Sequence, residues 1–231
     1  MRLILVRHGQ TPHNITGALD TARPGASLTA LGEAQAAALP AALTGARVAA
    51  VYASPLARTR QTAAPLAASL GLPVAVREGF REIGAGDLEL RDDPEAIAAY
   101  LDCVYAWSDG DLEHHLPGAP DGHAFLVRYD AAVRAAVTEV AAGHGDDATF
   151  VVVSHGAAIR TWTSVRAADA GPGFARGHRL SNTGSATFVG SPDEGWALVD
   201  WHSEALGGAE LASRGIHDVT GNAEDAEVVP A

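Results

Sequence analysis

Hydrophobic residues form three short unbroken runs, separated by longer segments in which apolar residues recur every three or four positions. The runs RLILV (2–6), ARVAAVYA (46–53) and ATFVVVS (148–154) are rich in aliphatic residues. Runs of this length and composition favour strands that are buried on both faces of a sheet. A fourth and shorter run, PVAV, predicts a strand over residues 73–76.

Helical periodicity occupies the segments between these runs. The segment 54–71 opens with Ser54 as the expected N-cap and closes on Gly71, so both ends of a helix are marked. The segment 27–43 carries Thr29 as a second candidate N-cap ahead of apolar residues at helical spacing. Further helices are predicted over residues 94–107, 123–143 and 157–167.

The order of these elements predicts the fold class. Strands alternate with helices along most of the chain, and SATFVG and WALVDWH then predict a final strand pair joined through SPDEG. This order is typical of an α/β three-layer sandwich, with a mostly parallel β-sheet and helices on both faces. We expect a single domain over residues 1–206. Residues 207–231 lack a sustained apolar period and end in acidic residues, which predicts a partly ordered acidic tail.

Composition narrows the classes of partner. The chain has 231 residues and a formal net charge of −12, and its basic residues are all arginine. Such a negative net charge argues against nucleic acid and against an anionic membrane as partners. The single cysteine, Cys103, excludes an intramolecular disulfide and a cysteine metal cluster. The N-terminus has too short an apolar run for a signal peptide, so a cytoplasmic location is expected.

Polar residues follow each of the three long runs. They are Arg7, His8 and Gly9 after the first, Ser54 and then Arg58 after the second, and Ser154, His155 and Gly156 after the third. The carboxyl ends of parallel strands meet at one edge of a sheet, so these side chains should lie close together. Helix starts after Ser54 and His155 add free backbone N–H groups and a positive dipole end. The sequence therefore predicts a pocket for a small, highly charged anion, with a phosphoryl group as the main candidate.

Three segments carry a resemblance to a known family. LILVRHGQTPHN, SPLARTRQTA and VVVSHGAAIR, in this order, resemble the signature blocks of the histidine phosphatase superfamily, also called phosphoglycerate mutase-like, over about the first 200 residues. The resemblance implies a largely parallel α/β sandwich and no metal or other cofactor. It implies that His8 is the nucleophile that takes the phosphoryl group. The residues that it implies around the phosphoryl oxygens are Arg7, Arg58 and His155, with Thr11 and Asn14 nearby.

The proton donor for the leaving group is less sharply marked. Glu82, in GFREIGAGDLE, resembles the family's general acid. Leu88 and Leu90 stand where the family usually has Trp and Gly, however. Because this departure blurs the alignment, Glu89 and Asp87 are kept as alternative donors.

Two further segments depart from the family pattern. In LPGAPDGHAF (116–125), Asp121 is a candidate replacement for a glutamate of the family, or that contact is absent. The stretch GALDTARPGAS (17–27) is expected to line the substrate entrance, where Arg23 is a candidate substrate contact or else a solvated loop arginine. The adjacent His114 and His115 lack a supporting ligand one turn away, which favours a polar loop over a metal site.

These observations predict a metal-independent phosphomonoesterase that acts through a phosphohistidine on a small phosphorylated metabolite. Neutral imidazole is a competent nucleophile near neutral pH, and two guanidinium groups can hold the phosphoryl oxygens. The expected catalytic residues are His8, Glu82, His155, Arg7 and Arg58, and the expected substrate-binding residues are Thr11, Asn14, Gly156 and Arg23. A phosphoglycerate mutase is the first alternative, and a noncatalytic phospholigand binder is the second.

Overall fold

The structure, a computed structural model, describes residues 1–213 and 218–221. Its sheet has the strands β1 (Arg2–Arg7), β2 (Val48–Ala53), β3 (Val74–Val76), β4 (Thr149–Ser154), β5 (Ser185–Ser191) and β6 (Gly195–His202). Their spatial order is β3-β2-β4-β1-β5-β6. The first four strands in this order run parallel, and β5 and β6 are antiparallel to their neighbours. The predicted mostly parallel sheet is confirmed, as is the final strand pair.

Seven helices connect and flank the strands among the described residues. They are α1 (Pro12–Thr16), α2 (Ala30–Ala42), α3 (Ala57–Leu70), α4 (Pro94–Ser108), α5 (Gly122–His144), α6 (Gly156–Arg166) and α7 (Phe174–Gly177). The five longer helices match the predicted ones to within three residues at each end. The two short helices, α1 and α7, were not predicted, because four or five residues are too few to show a helical period.

The core has two parts because side chains alternate across the sheet. In β1, Leu3 and Leu5 belong to one cluster, which also contains buried residues of α4, α5 and α6. Ile4 and Val6 belong to the other cluster, which contains buried residues of α2 and α3. Adjacent strand residues point to opposite faces, so an unbroken apolar run must be covered on both sides. The central layer is therefore buried on both faces, as predicted.

The two expected N-caps have different outcomes. Thr29 caps α2, and its hydroxyl accepts a hydrogen bond from the Gly32 N–H. The prediction for Ser54 was wrong, because α3 begins at Ala57 with Leu56 in the capping position. The Ser54 hydroxyl lies instead 2.7 Å from Nε2 of His155. Ser54 lies directly after β2, and its hydrogen-bond partner His155 lies directly after β4.

Part of the segment expected to be a tail lies against the domain. Residues 207–213 are described, and the side-chain amide of Gln35 in α2 donates to the Leu211 carbonyl at 2.8 Å. Residues 218–221 are also described, and the Leu180 N–H donates to the Gly221 carbonyl at 2.8 Å. The acidic end of the segment, from residue 222 onward, lies outside the described residues. Among the residues that are described, no helix combines the length and the apolar character needed to cross a membrane.

Candidate active site

A cleft opens at the carboxyl ends of β1, β2 and β4. Its volume is about 400 Å³, including the solvent-filled space at its open mouth. The described residues that line it are His8, Thr11, His13, Asn14, Gly17, Ala18, Leu19, Asp20, Thr21, Arg58, Glu82, Tyr100, Asp218, Val219 and Thr220. Of the residues predicted at the strand ends, His8 and Arg58 line this cleft, whereas Arg7, Ser54, His155 and Gly156 are not among its lining residues.

His8 lies in the floor of the cleft, directly after β1. It is only 3% exposed, and its Nδ1 lies 2.8 Å from the carbonyl oxygen of Gly9. A carbonyl oxygen can only accept, so Nδ1 carries the proton and Nε2 keeps its lone pair. Burial, with Arg58 and Arg7 nearby, lowers the pKa of His8 well below its ordinary value. The ring is therefore neutral at neutral pH, which is the form that can act as a nucleophile.

Gly9, which follows His8 outside regular secondary structure, packs closely against α2. A Cβ at position 9 would lie 2.6 Å from the carbonyl oxygen of Gly32, so any other residue there would push against the backbone of α2. The Gly9 N–H donates to the Thr62 hydroxyl at 2.9 Å. Because glycine has no side chain, the chain can pass closely between α2 and α3 as it leaves the sheet.

His155 follows β4 and lies beside His8. The two ring centroids are 5.3 Å apart with an angle of 63° between the rings. Nε2 of His155 bonds to Ser54, whereas Nδ1 is buried and has no partner among the described residues. Burial, followed by the charge of Arg58, lowers the pKa of His155 well below its ordinary value. His155 is thus a buried neutral ring beside His8, and one of its nitrogens has no partner among the described residues.

Arg7, the last residue of β1, is completely buried and holds a carboxylate that the sequence analysis did not single out. Its two terminal nitrogens donate to the two carboxylate oxygens of Asp218 at 2.6 and 2.5 Å. They also donate to the Leu180 carbonyl at 2.7 Å and to the Thr220 hydroxyl at 3.1 Å. Only Nε of Arg7 is left without a partner among the described residues.

Arg58, in the first turn of α3, has a similar arrangement. One terminal nitrogen donates to a carboxylate oxygen of Asp20 at 3.1 Å, and the other donates to the Asp20 carbonyl at 2.7 Å. Its Nε is buried and has no partner among the described residues. Arg60, two positions further along the helix, is exposed. Arg58 is therefore the arginine that α3 supplies to the cleft.

Glu82 reaches the cleft from the irregular segment after β3. Its Oε1 accepts from the N–H groups of Ile83 and Ala158 at 2.9 and 2.8 Å, and its Oε2 accepts from Ala157 at 3.2 Å. Ala157 and Ala158 belong to the first turn of α6, where backbone N–H groups are free. Burial nevertheless raises the pKa of Glu82 above its ordinary value. A buried carboxyl with a raised pKa is suited to donating a proton.

The segment that carries Glu82 is held by long-range hydrogen bonds. The guanidinium of Arg128, in α5, donates to three of its carbonyl oxygens, those of residues 79, 81 and 82. Tyr100, in α4, donates its hydroxyl to the Ile83 carbonyl at 3.1 Å. Neither residue stands out in the sequence, since one arginine and one tyrosine within amphipathic helices carry no local signal.

The alternative proton donors lie elsewhere. Glu89 accepts hydrogen bonds from the N–H groups of Thr21 and Ala22, both at 2.8 Å, and from the Thr21 hydroxyl. Glu89 therefore anchors the loop that forms one side of the cleft. Asp87 is exposed and is not among the lining residues. Of the three carboxylates considered, only Glu82 lines the cleft.

The expected substrate-binding residues are only partly brought together. Thr11 and Asn14 line the cleft, where they also cap α1 through reciprocal bonds between side chain and backbone. Gly156 begins α6 but does not line the cleft, and a Cβ there would lie 2.4 Å from the Thr220 carbonyl oxygen. Arg23 lies outside the cleft, with a side chain that is 56% exposed and paired with Glu78 at 2.6 Å.

The remaining candidates are also outside the cleft. Asp121 is the N-cap of α5, where its side chain accepts from the Ala124 N–H at 2.8 Å. The Trp107 indole N–H donates to the His114 carbonyl at 2.6 Å, within the loop that precedes α5. Among the described residues, no group of three or more histidines, cysteines or carboxylates is arranged to hold a metal ion.

Two known proteins are similar to this chain in sequence. The chain is 36% identical over 226 residues to the PE-PGRS family protein PE_PGRS11 of Mycobacterium tuberculosis, covering 93% of this chain and 38% of that protein. It is 34% identical over 131 residues to the adenosylcobalamin/α-ribazole phosphatase of Escherichia coli, covering 56% and 64% of the two chains. The chain thus spans less than two thirds of the length of either relative.

The fold is also similar to that of a solved structure. A mycobacterial glucosyl-3-phosphoglycerate phosphatase superposes with a TM-score of 0.71 at 24% identity, covering 87% of this chain and 98% of that one. A sequence model of the histidine phosphatase superfamily (branch 1) matches residues 3–204. The chain, with its paired histidines at the ends of β1 and β4, therefore belongs to the histidine phosphatase superfamily.

Proposed function

We propose that this protein is a metal-independent phosphomonoesterase that acts through a phosphohistidine on a small phosphorylated metabolite. The observation that carries the proposal is the hydrogen bond from His8 Nδ1 to Gly9. It leaves the lone pair on Nε2 of a buried, neutral ring. Two arginines nearby each keep an Nε–H group that has no partner within residues 1–213 and 218–221. The phosphatase name of the E. coli relative supports the same activity.

In the first step, Nε2 of His8 attacks phosphorus, and the bond between phosphorus and the ester oxygen breaks as the N–P bond forms. Negative charge on the phosphoryl oxygens is received by the Nε–H groups of Arg7 and Arg58. Nδ1–H of His155 is assigned as a third donor, in the tautomer whose Nε2 accepts from the Ser54 hydroxyl. Donors that are already in place cost no reorganisation in the transition state. Glu82 gives its proton to the leaving alkoxide, which departs as an alcohol.

In the second step, water attacks the phosphohistidine. Glu82, now a carboxylate, takes a proton from that water as the P–N bond breaks, which regenerates His8 and releases phosphate. Of the Glu82 oxygens, Oε2 makes only the one longer hydrogen bond, at 3.2 Å. We assign the transferred proton to this oxygen.

The activity is tested by hydrolysis of p-nitrophenyl phosphate in the presence of EDTA. We expect turnover by the wild-type protein and a loss of at least about 10⁴-fold in His8→Ala, since no other group forms the covalent intermediate. His114→Ala, in a loop outside the cleft, is the matched control and should keep wild-type activity. Equal activity of wild type and His8→Ala would overturn the proposal.

Two alternatives are separated by further assays. A phosphoglycerate mutase would interconvert monophosphoglycerates after addition of a bisphosphoglycerate primer, whereas a phosphatase would only release phosphate. A noncatalytic binder would bind phosphate without forming acid-labile phosphohistidine when the reaction is quenched in base. Trapping of labelled phosphate on the wild type, and its absence from His8→Ala, would exclude the binder.

A further inference from the structure

We propose that the cleft selects phosphomonoesters whose leaving group is uncharged or cationic, and that Asp20 and Asp218 exclude acidic leaving groups. This inference rests on the proposed phosphatase function and adds a substrate class to it. Both aspartates line the cleft, and their side chains are only 7% and 5% exposed. Two buried carboxylates in a pocket for a phosphate dianion are unexpected on charge alone, because like charges repel there.

Asp20 is a built part of the cleft. Its Oδ2 accepts from the Ala26 N–H at 2.8 Å and from Arg58 at 3.1 Å, and it lies 3.0 Å from Nδ1 of His13. The loop that carries it is anchored through Glu89 at its other side. No described residue donates to Oδ1 of Asp20, which therefore stays available to a hydroxyl or an ammonium group of a ligand.

Asp218 is held just as firmly. Besides the bidentate pair with Arg7, its Oδ1 lies 3.4 Å from the side-chain amide nitrogen of Asn14. The short segment that carries it has a further anchor, because the buried Arg160 in α6 donates to the Thr220 carbonyl at 3.1 Å. The Arg7–Asp218 pair is thus a fixed feature of the site.

Because of these contacts, the positive charges of Arg7 and Arg58 are already paired with carboxylates and do not attract an acidic leaving group. Arg58 is the only arginine or lysine among the described lining residues, and its charge is compensated by Asp20. Arg7 is compensated by Asp218, and His13, when protonated, is already paired with Asp20. The two Nε–H groups and Nδ1 of His155 are assigned to the phosphoryl oxygens in the proposed reaction. A carboxylate on the leaving group would face Asp20 and Asp218 without a cation of its own, in a partly desolvated cleft where charge repulsion is strong.

The test compares two phosphate esters that share the same carbon skeleton. Glycerol 3-phosphate carries a terminal CH₂OH group where 3-phosphoglycerate carries a carboxylate. We expect wild-type kcat/KM to be at least about tenfold higher for glycerol 3-phosphate. In Asp20→Asn the ratio should fall to within about threefold, through a rise in kcat/KM for 3-phosphoglycerate. A merely structural defect would lower both values together.

Asp193→Asn is the matched control, since it removes the same charge from a side chain that is 81% exposed and outside the cleft. It should keep the wild-type ratio. If Asp20→Asn does not fold, as judged from its melting curve, Asp20→Ser removes the charge with a smaller side chain. A ratio near one in the wild type, or an unchanged ratio in the Asp20 variant, would overturn the inference.

The same experiment separates this inference from the proposed function. Hydrolysis of p-nitrophenyl phosphate that depends on His8 establishes the phosphatase, whatever the ratio of the two esters. If neither ester is turned over, their dissociation constants are measured by calorimetry with His8→Ala, which cannot form the phosphohistidine. Tenfold tighter binding of glycerol 3-phosphate would support the inference, and equal or reversed affinities would contradict it.

Discussion

The floor and the wall of the cleft are built in different ways. We call the lining residues His8, Arg58 and Glu82 the floor, together with His155, which lies beside His8. The loop 17–22 and the segment 218–221 are the wall. Three of the four floor residues follow a buried parallel strand directly or lie one turn into the next helix. The wall comes from chain that has no regular structure beyond short turns and is positioned by individual polar contacts.

The floor is positioned by the sheet. Arg7 at the end of β1 pairs with Ser154 at the end of β4, and Ala53 at the end of β2 pairs with Val153. A shift of register by one residue would turn each buried strand side chain to the other face, so the packed core fixes where the strands end. The histidines that follow β1 and β4 are then adjacent as a consequence of core packing.

The wall depends on a few buried or half-buried charges. Glu89 holds Thr21 and Ala22, and Asp218 holds Arg7 across 211 positions of sequence. Each contact joins residues that are far apart in the chain, so none produces a local pattern. Removing one partner of a buried ion pair leaves the other charge unpaired, which strongly lowers the free energy of unfolding. The comparison suggests that the floor carries the chemistry and the wall decides what reaches it.

The same difference explains what could be predicted from the sequence. The strands, the longer helices and the histidine pair follow from runs of apolar residues and from where those runs stop. Glu82 required the family resemblance, because its segment has no periodicity and is placed by Arg128. Asp20 and Asp218 were not identified, since a single aspartate in a polar stretch has the same composition whether it is solvated or paired with a buried arginine.

The largest effect among the floor variants other than His8→Ala is expected for Glu82→Gln. Loss of a general acid lowers the rate by about 10²–10⁴-fold, so kcat/KM for an alkyl phosphate should fall by that factor. The loss should be much smaller for the first turnover of p-nitrophenyl phosphate, whose leaving group needs no proton. A stopped-flow burst of p-nitrophenolate, followed by slow turnover, is the expected signature. A uniform loss with both esters would contradict this role.

The pH dependence of the same variant sharpens the test. Burial raises the pKa of Glu82, so its protonated form is lost as pH rises through that raised pKa. The pKa of His8 is lowered, so its neutral form is lost only at pH well below 6.5. The ratio of wild-type to Glu82→Gln kcat/KM should therefore decrease with rising pH. The substrate's own ionisation is common to both proteins and cancels in this ratio.

Arg58→Ala is expected to lower kcat/KM by about 10²–10³-fold, the usual cost of one donor to transition-state charge. The exposed Arg60, in the same helix turn, is the control, and Arg60→Ala should change the rate by less than about twofold. Both rates are measured with p-nitrophenyl phosphate. A loss of less than about threefold in Arg58→Ala would remove this arginine from the floor.

A wall variant should have a smaller and different effect. Glu89→Gln keeps one acceptor oxygen but replaces the other with an NH₂ group, so the Thr21 hydroxyl can no longer donate there and the remaining bonds lose their charged acceptor. A hydrogen bond to a charged group contributes about 1.5–3 kcal/mol, of which the loop loses part. We expect KM to rise by about three- to tenfold while kcat stays within about twofold. Asp87→Asn, exposed and two positions away, is the control, and a fall in kcat without a change in KM would make Glu89 part of the chemistry.

The smallest effect is expected for Arg23→Ala, which tests where the wall ends. Arg23 follows the loop that carries Asp20 and was a candidate substrate contact, but its guanidinium pairs with Glu78 at the surface. Exposed pairs of this kind contribute about 0–1 kcal/mol. We therefore expect kcat/KM within about twofold of wild type for glycerol 3-phosphate. A fall of more than about fivefold would show that Arg23 leaves Glu78 to reach the substrate. The wall would then supply a cation as well as carboxylates, and the selection against acidic leaving groups would have to be weaker than its two buried aspartates imply.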